Sequence, residues 1–228
     1  MSDDLEALYP FLYSGTSDLT AVLDQVRAST VAKATEIGDL RRAVAARDGA
    51  RIEACAREAA ARFAAGGRLF AFGNGGSATD AAQLATLFLA PDGGGGAPDR
   101  DNPPLPAFGL ANDTSVITAL ANDVGPEVIF ARPLAAFARP GDIAVGLSTS
   151  GNSENLLRAF DEASRRGMLT IGLAGYDGGK MAELDSIDYL FVVPSSSVHR
   201  VQEAQTTTYQ VFWELTMEEM AHVPRHTR

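Results

Sequence analysis

Histidine and cysteine are scarce in this 228-residue chain, which has three of the first and one of the second. A single cysteine excludes a disulfide within the chain and a cysteine-based zinc site. A multi-histidine metal site has only His199, His222 and His226 to draw on, and the last two lie close to the C-terminal end. Cys55 sits in the helical run Ile52-Glu-Ala-Cys-Ala-Arg, where a small buried apolar residue is expected rather than a nucleophile. Positive charge is short as well. Nineteen Lys and Arg stand against 29 Asp and Glu, a net charge of −10. That balance argues against direct nucleic-acid binding and against an anionic membrane surface. No window approaches the ~20 apolar residues of a membrane span, and no basic segment followed by an apolar one opens the chain. A cytoplasmic protein is the expectation. At roughly 100–200 residues per domain, the length predicts one compact domain with a helical extension.

What is present is a change of pattern near residue 66. Residues 1–65 read as a helical extension. A first helix is expected over Thr20–Ala46, with Leu23, Val26, Val31, Ile37, Leu40 and Val44 on a helical period. A second is expected over Ala50–Ala65, stopped by Gly66-Gly67. This stretch holds no chemical motif and reads as a packing or oligomerisation element. From 66 to 221 short apolar runs alternate with helical segments, and 222–228 form a tail. The runs are Leu69–Phe72, Leu105–Leu110, Ile143–Leu147, Leu169–Ala174 and Tyr189–Val193. Helices are expected over Ala78–Leu89, Ser115–Ala121, Glu127–Phe137, Ser153–Arg166, Gly179–Leu184 and Val198–Met220. Such alternation predicts an α/β fold, a parallel sheet with helices on both faces. The Gly- and Pro-rich stretch 91–106 reads as a loop, a lid or a plain surface excursion. Leu-Ala-Asn-Asp occurs at Leu110–Asp113 and again at Leu120–Asp123, each copy read as a turn or a helix start.

Two loops follow strands and open helices. Gly73-Asn74-Gly75-Gly76-Ser77 lets a ligand approach the backbone, and Ser77 is expected to cap the helix. It lacks the third glycine of a dinucleotide fingerprint and the Gly-Lys-Ser/Thr of a P-loop. Ser148-Thr149-Ser150-Gly151-Asn152-Ser153 packs four hydroxyls, an amide and a glycine into the C-terminal end of a strand. Hydroxyls and helix-start N–H groups suit a phosphate without Lys or Arg. A plain capped helix start explains one hydroxyl, not four.

With Ala121-Asn-Asp-Val124, Gly175-Tyr-Asp-Gly-Gly-Lys-Met181 and Arg200-Val-Gln-Glu203, these loops resemble the sugar isomerase (SIS) domain family, in its phosphoheptose isomerase branch. The resemblance runs over about residues 30 to 220. It implies a five-stranded parallel sheet flanked by helices, a flavodoxin-like three-layer sandwich. It also implies a homotetramer with sites at subunit interfaces and a phosphorylated sugar as ligand. By position, Ser148, Thr149, Ser150 and Ser153 would hold the phosphate. Asn74, Gly75 and Ser77 would line the sugar, and Asp123 and Gln202 would contact it.

The resemblance breaks where the chemistry should be. Members of that branch move a proton between two carbons with a Glu on the first motif helix and a His on the last. They bind zinc through His and Glu four apart on the first helix and Gln and His eight apart on the last. Here those positions hold Gln83 and Leu87, then Gln202 and Gln210. Leucine neither ligates nor transfers a proton, and amide oxygens are weak zinc ligands. No metal and no cofactor are therefore expected. His199, Glu203 and Asp123 stand as replacement acid/base candidates. His199 reads more readily as a polar contact at the helix start, and Glu203 reads also as one half of an interface or helix-start ion pair. Tyr209 and Trp213 read as core packing. Two functions follow. One is a phosphosugar-binding sensor or adaptor with a protein partner. The other is a metal-independent aldose–ketose isomerase acting on sedoheptulose 7-phosphate or a similar sugar phosphate.

Overall fold

A computed structural model describes residues 19–91 and 103–222. Most of the Gly/Pro stretch, almost all of the tail and His226 lie outside the described residues. The chain divides into two compact units, Met1–Asp39 and Leu40–Arg228. In the first, the described residues are helical, and Val22, Leu23, Val26 and Val31 are exposed.

In the second unit, five strands form one parallel sheet: β1 (Leu69–Gly73), β2 (Ala107–Gly109), β3 (Ile143–Leu147), β4 (Leu169–Gly175) and β5 (Tyr189–Val193), in the order β2-β1-β3-β4-β5. The helices are α1 (Leu19–Ala64), α2 (Gly76–Leu89), α3 (Thr114–Asp123), α4 (Ala131–Phe137), α5 (Glu154–Arg165) and α6 (Val198–His222). Two short 3-10 turns, Pro126–Val128 and Gly179–Glu183, complete the order among the described residues.

The inner strands β1, β3 and β4 are fully buried because both faces are covered, while the edge strands β2 and β5 are only partly buried. Side chains alternate across a strand, so successive residues feed two separate cores. Leu69, Ala71, Ile143, Val145, Leu147 and Phe191 meet Cys55 and Phe63 of α1, Leu84 and Phe88 of α2, and Tyr209 and Phe212 of α6. Phe70, Phe72 and Ala144 meet Leu134 of α4 and Leu156 and Phe160 of α5 on the other face. Cys55 is fully buried, and that burial pushes its thiol far upward, away from nucleophilic chemistry.

Three elements differ from the sequence expectation. The break expected between Ala46 and Ala50 is absent, and α1 runs through Gly49. A single glycine costs a helix only about 1 kcal/mol. Buried Asp48 holds this part of α1 in place, paired with Arg47 and Arg51. Those arginines also donate to the carbonyls of Val192 and Leu190. The helix expected over Glu127–Phe137 is split, because Pro133 has no N–H to bond back to Ile129. In the observed α4, Pro133 lies in the first turn, where that N–H has no helical partner anyway. Asp113 caps α3, accepting from Val116 N at 3.0 Å, as read. Asp123 instead ends the same helix, so the second Leu-Ala-Asn-Asp copy is not a helix start.

Candidate functional site

The strand order reverses between β1 and β3, and the two loops singled out in the sequence leave the C-terminal ends of those strands. Ligands of open parallel sheets bind at that position. Asn74 and Asn155 join the loops there, each side-chain amide donating to the other's oxygen at 2.9 Å. An open groove of about 540 Å³ lies beside them, lined in part by Glu127, Ser153 and Arg158.

The loop after β3 is built from its own hydroxyls. Ser148 is buried, and its Oγ accepts from Gly151 N at 3.0 Å. A serine oxygen that accepts in this way still has its own hydrogen to donate. Ser150 Oγ accepts from Asn152 N at 3.3 Å. Among the described residues, the side chains of Thr149 and Ser153 make no hydrogen bond, and Ser153 stands at the N-cap of α5 without capping it.

The Asp-Gly-Gly-Lys motif has a physical task in this arrangement. Asn152 Oδ1 accepts from Lys180 N at 3.0 Å, and Gly151 O accepts from Met181 N at 3.0 Å. Gly151 has φ +69°, and a Cβ there would lie 1.9 Å from Gly178 O. The 148–153 loop therefore rests backbone to backbone on the loop after β4, and only glycine fits that contact. Tyr176, two residues before Gly178, has φ +55°, the one non-glycine residue with positive φ among those described. Strain of that kind persists where the surroundings hold it.

The loop after β1 departs from expectation at Ser77. Gly75 occupies the N-cap, and Ser77 lies buried within the first turn without a side-chain capping bond. Asn74 and Gly75 are exposed. Gly76 is exposed too, but Gln202 lies against one side of it: a Cβ at 76 would fall 2.2 Å from Gln202 Nε2. The structure thus brings Gln202 against the first loop.

The three acid/base candidates are not gathered in the same way. His199 is exposed and makes no side-chain hydrogen bond or ion pair among the described residues. Glu203, one turn further along α6, is exposed and pairs with Arg200. Asp123 is exposed and accepts from Asn122 Nδ2 at 2.7 Å.

The donor set does not fit zinc. Gln83 Oε1 accepts from the Tyr209 hydroxyl at 3.1 Å, and Leu87 packs against the core. Among the described residues, no three of His, Cys, Asp and Glu are placed to hold a metal ion.

Two residues of the site were missed in the sequence. Gln205 is fully buried on α6, and its Nε2 donates to Ser148 O at 3.0 Å. Asp80, one turn beyond Gly76 on α2, accepts from Tyr209 and Thr206 and has a raised pKa, chiefly from burial. Burial pushes the Tyr209 hydroxyl up to about 12.

A doubly wound parallel sheet with paired glycine and hydroxyl loops at its switch point is the architecture of the SIS domain. The family model described as "SIS domain" matches residues 34–175, and the chain belongs to that family. Its relatives narrow the assignment. The phosphoheptose isomerase of Pelodictyon phaeoclathratiforme is 41% identical over 203 residues, which covers 88% of this chain and 93% of that one. The phosphoheptose isomerase of Aquifex aeolicus is 44% identical over 153 residues, which covers 67% and 76%. The solved structure of phosphoheptose isomerase from Neisseria gonorrhoeae superposes with a TM-score of 0.72 at 31% identity, over 83% of this chain and 97% of that one. Within the SIS family, the chain belongs with the phosphoheptose isomerases. No described helix is long and apolar enough to cross a membrane.

Proposed function

We propose that this protein binds a sugar phosphate at the junction of its two loops. The phosphate sits on Ser148, Thr149, Ser150 and Ser153, and the sugar lies toward Asn74, Gly75, Ser77, Asp123 and Gln202. In this reading the protein works as a phosphosugar-responsive sensor or adaptor, assembled as a homotetramer, and its acidic surface suits a protein partner. One contrast carries the reading. The hydroxyl loop is complete and braced by Gly178 and Lys180, while Gln83, Leu87 and Gln210 stand where zinc and proton transfer would be served.

A second reading rests on the relatives, which are named phosphoheptose isomerases and reach 37–47% identity. A metal-independent isomerase would move the proton with His199, Glu203 or Asp123. One experiment separates the two. Chelator-treated protein is incubated with sedoheptulose 7-phosphate, and both thermal shift and product formation are followed. A shift without turnover supports the sensor. Turnover that disappears on replacing His199 or Glu203 supports the isomerase. Absence of a shift with any phosphosugar overturns the phosphate site itself.

A further inference from the structure

The Asp80 carboxyl is short of partners. Its Oδ1 accepts from Thr206 Oγ1 at 3.5 Å and from the Tyr209 hydroxyl at 3.4 Å, both at the outer limit of a hydrogen bond. Each of those hydroxyls has one hydrogen and a nearer acceptor. For Thr206 it is Gln202 O at 3.0 Å, and for Tyr209 it is Gln83 Oε1 at 3.1 Å. Gln202 adds a side-chain hydrogen bond. Asp80 Oδ2 is buried and has no hydrogen-bond partner among the described residues. An unpartnered buried polar atom costs about 1–3 kcal/mol, so a group left this way calls for an explanation. The side chains bonded to Asp80 are all neutral, so no cation satisfies it in their place.

Its position supplies the explanation. Asp80 lies four residues after Gly76, on the same face of α2. Gln202, which lies against Gly76, also bonds Asp80. On α6, Thr206 reaches Asp80, and its neighbour Gln205 donates to the carbonyl of Ser148 in the phosphate loop. One turn of α6 therefore touches both the proposed anion site and this carboxyl, and a helical turn is only about 5.4 Å long.

We infer that Asp80 receives a hydroxyl of the sugar when a sugar phosphate is bound at the 148–153 loop. The inference rests on the phosphosugar reading above and adds the residue that distinguishes a sugar phosphate from phosphate alone. A carboxyl with open acceptor positions takes hydroxyl hydrogens. A polyol supplies them in number, whereas a phosphate dianion brings like charge. The long contacts from Thr206 and Tyr209 are easily exchanged for a shorter one from the ligand.

The test is calorimetric titration of wild type, Asp80→Asn and Asp80→Ala with two probes, inorganic phosphate and sedoheptulose 7-phosphate. Wild type is expected to bind the sugar phosphate more tightly than phosphate. Asp80→Ala should lose roughly tenfold or more for the sugar phosphate, the size of one hydrogen bond to a charged group, and less than about twofold for phosphate. Asp80→Asn keeps one acceptor oxygen and should lose less. Unchanged sugar-phosphate affinity in both variants overturns the inference and leaves the phosphosugar reading standing. Equal losses for both probes overturn it as well, because Asp80 would then act on the loop. Binding of neither probe by wild type overturns the phosphosugar reading, and the inference with it.

Discussion

Gln205 donates its side-chain amide to the main-chain oxygen of Ser148 at 3.0 Å, from a position with no solvent exposure. The last helix thereby fixes the first residue of the hydroxyl loop, although 57 residues separate the two in sequence. Replacing Gln205 with Leu removes the donor and leaves that carbonyl short of a partner. We expect a loss of about 1–3 kcal/mol in stability, read by urea unfolding, and weaker phosphate binding read by titration. Phosphate affinity that survives the change would show that the loop holds its shape without α6.

Gly151 offers a sharper case. An alanine there sets a methyl carbon 1.9 Å from Gly178 O, at a φ of +69°. Strain from the dihedral alone is of order 1–3 kcal/mol, and the clash adds to it. Gly151→Ala should fold with a clearly lower unfolding midpoint and should lose phosphate binding. Gly49→Ala is the control, since nothing lies within 4 Å of its Cβ position. It should be neutral or stabilising by up to about 1 kcal/mol.

Zinc should be dispensable. Metal analysis of the purified protein is expected to find far less than one zinc per chain, and a chelator should leave the melting temperature unchanged. The triple change Gln83→His, Leu87→Glu and Gln210→His restores imidazole and carboxylate donors at the positions occupied by amides and leucine. Zinc content near one per chain in that variant, against little in wild type, is the expected result. Stoichiometric zinc in wild type would contradict the argument from donor chemistry.

Asp80 should leave a mark on stability against pH. Burial raises its folded-state pKa above that of the unfolded chain. The folded protein then holds the proton more tightly, so this group's contribution is greatest at pH below the unfolded value. It is lost as pH rises through the window between the unfolded and folded values. Wild type should therefore lose stability relative to Asp80→Asn as the pH rises above the ordinary aspartate range, about pH 4. A difference that stays flat over that rise would mean the carboxyl is solvated in the folded protein.

Much of this architecture was legible in the chain. The five apolar runs lie where the strands are, because strands in a covered parallel sheet are near-continuous apolar runs. The second run reads too long, since only Ala107–Gly109 pairs with β1. Gly49 and Pro133 misled in opposite directions. The helical pattern reads as interrupted between Ala46 and Ala50, where α1 runs through Gly49, and it reads as continuous over Glu127–Phe137, where Pro133 stands in the first turn of a separate α4. The site was legible as loops because its hydroxyls and glycines cluster within six residues. Asp80 and Gln205 escaped because each is one of several polar residues on its helix, and nothing in the sequence but spacing says which of them turn inward. Their spacing was the available signal: Asp80 falls four residues after Gly76, and Gln205 three after Gln202.

The backbone contact between Gly151 and Gly178 also bears on how the chain can vary. Surface loops ordinarily gain and lose residues freely. Here the loops after β3 and β4 are each other's floor, so an insertion in one has no room unless the other is recut with it. Length, more than composition, is the quantity these two segments must hold in common.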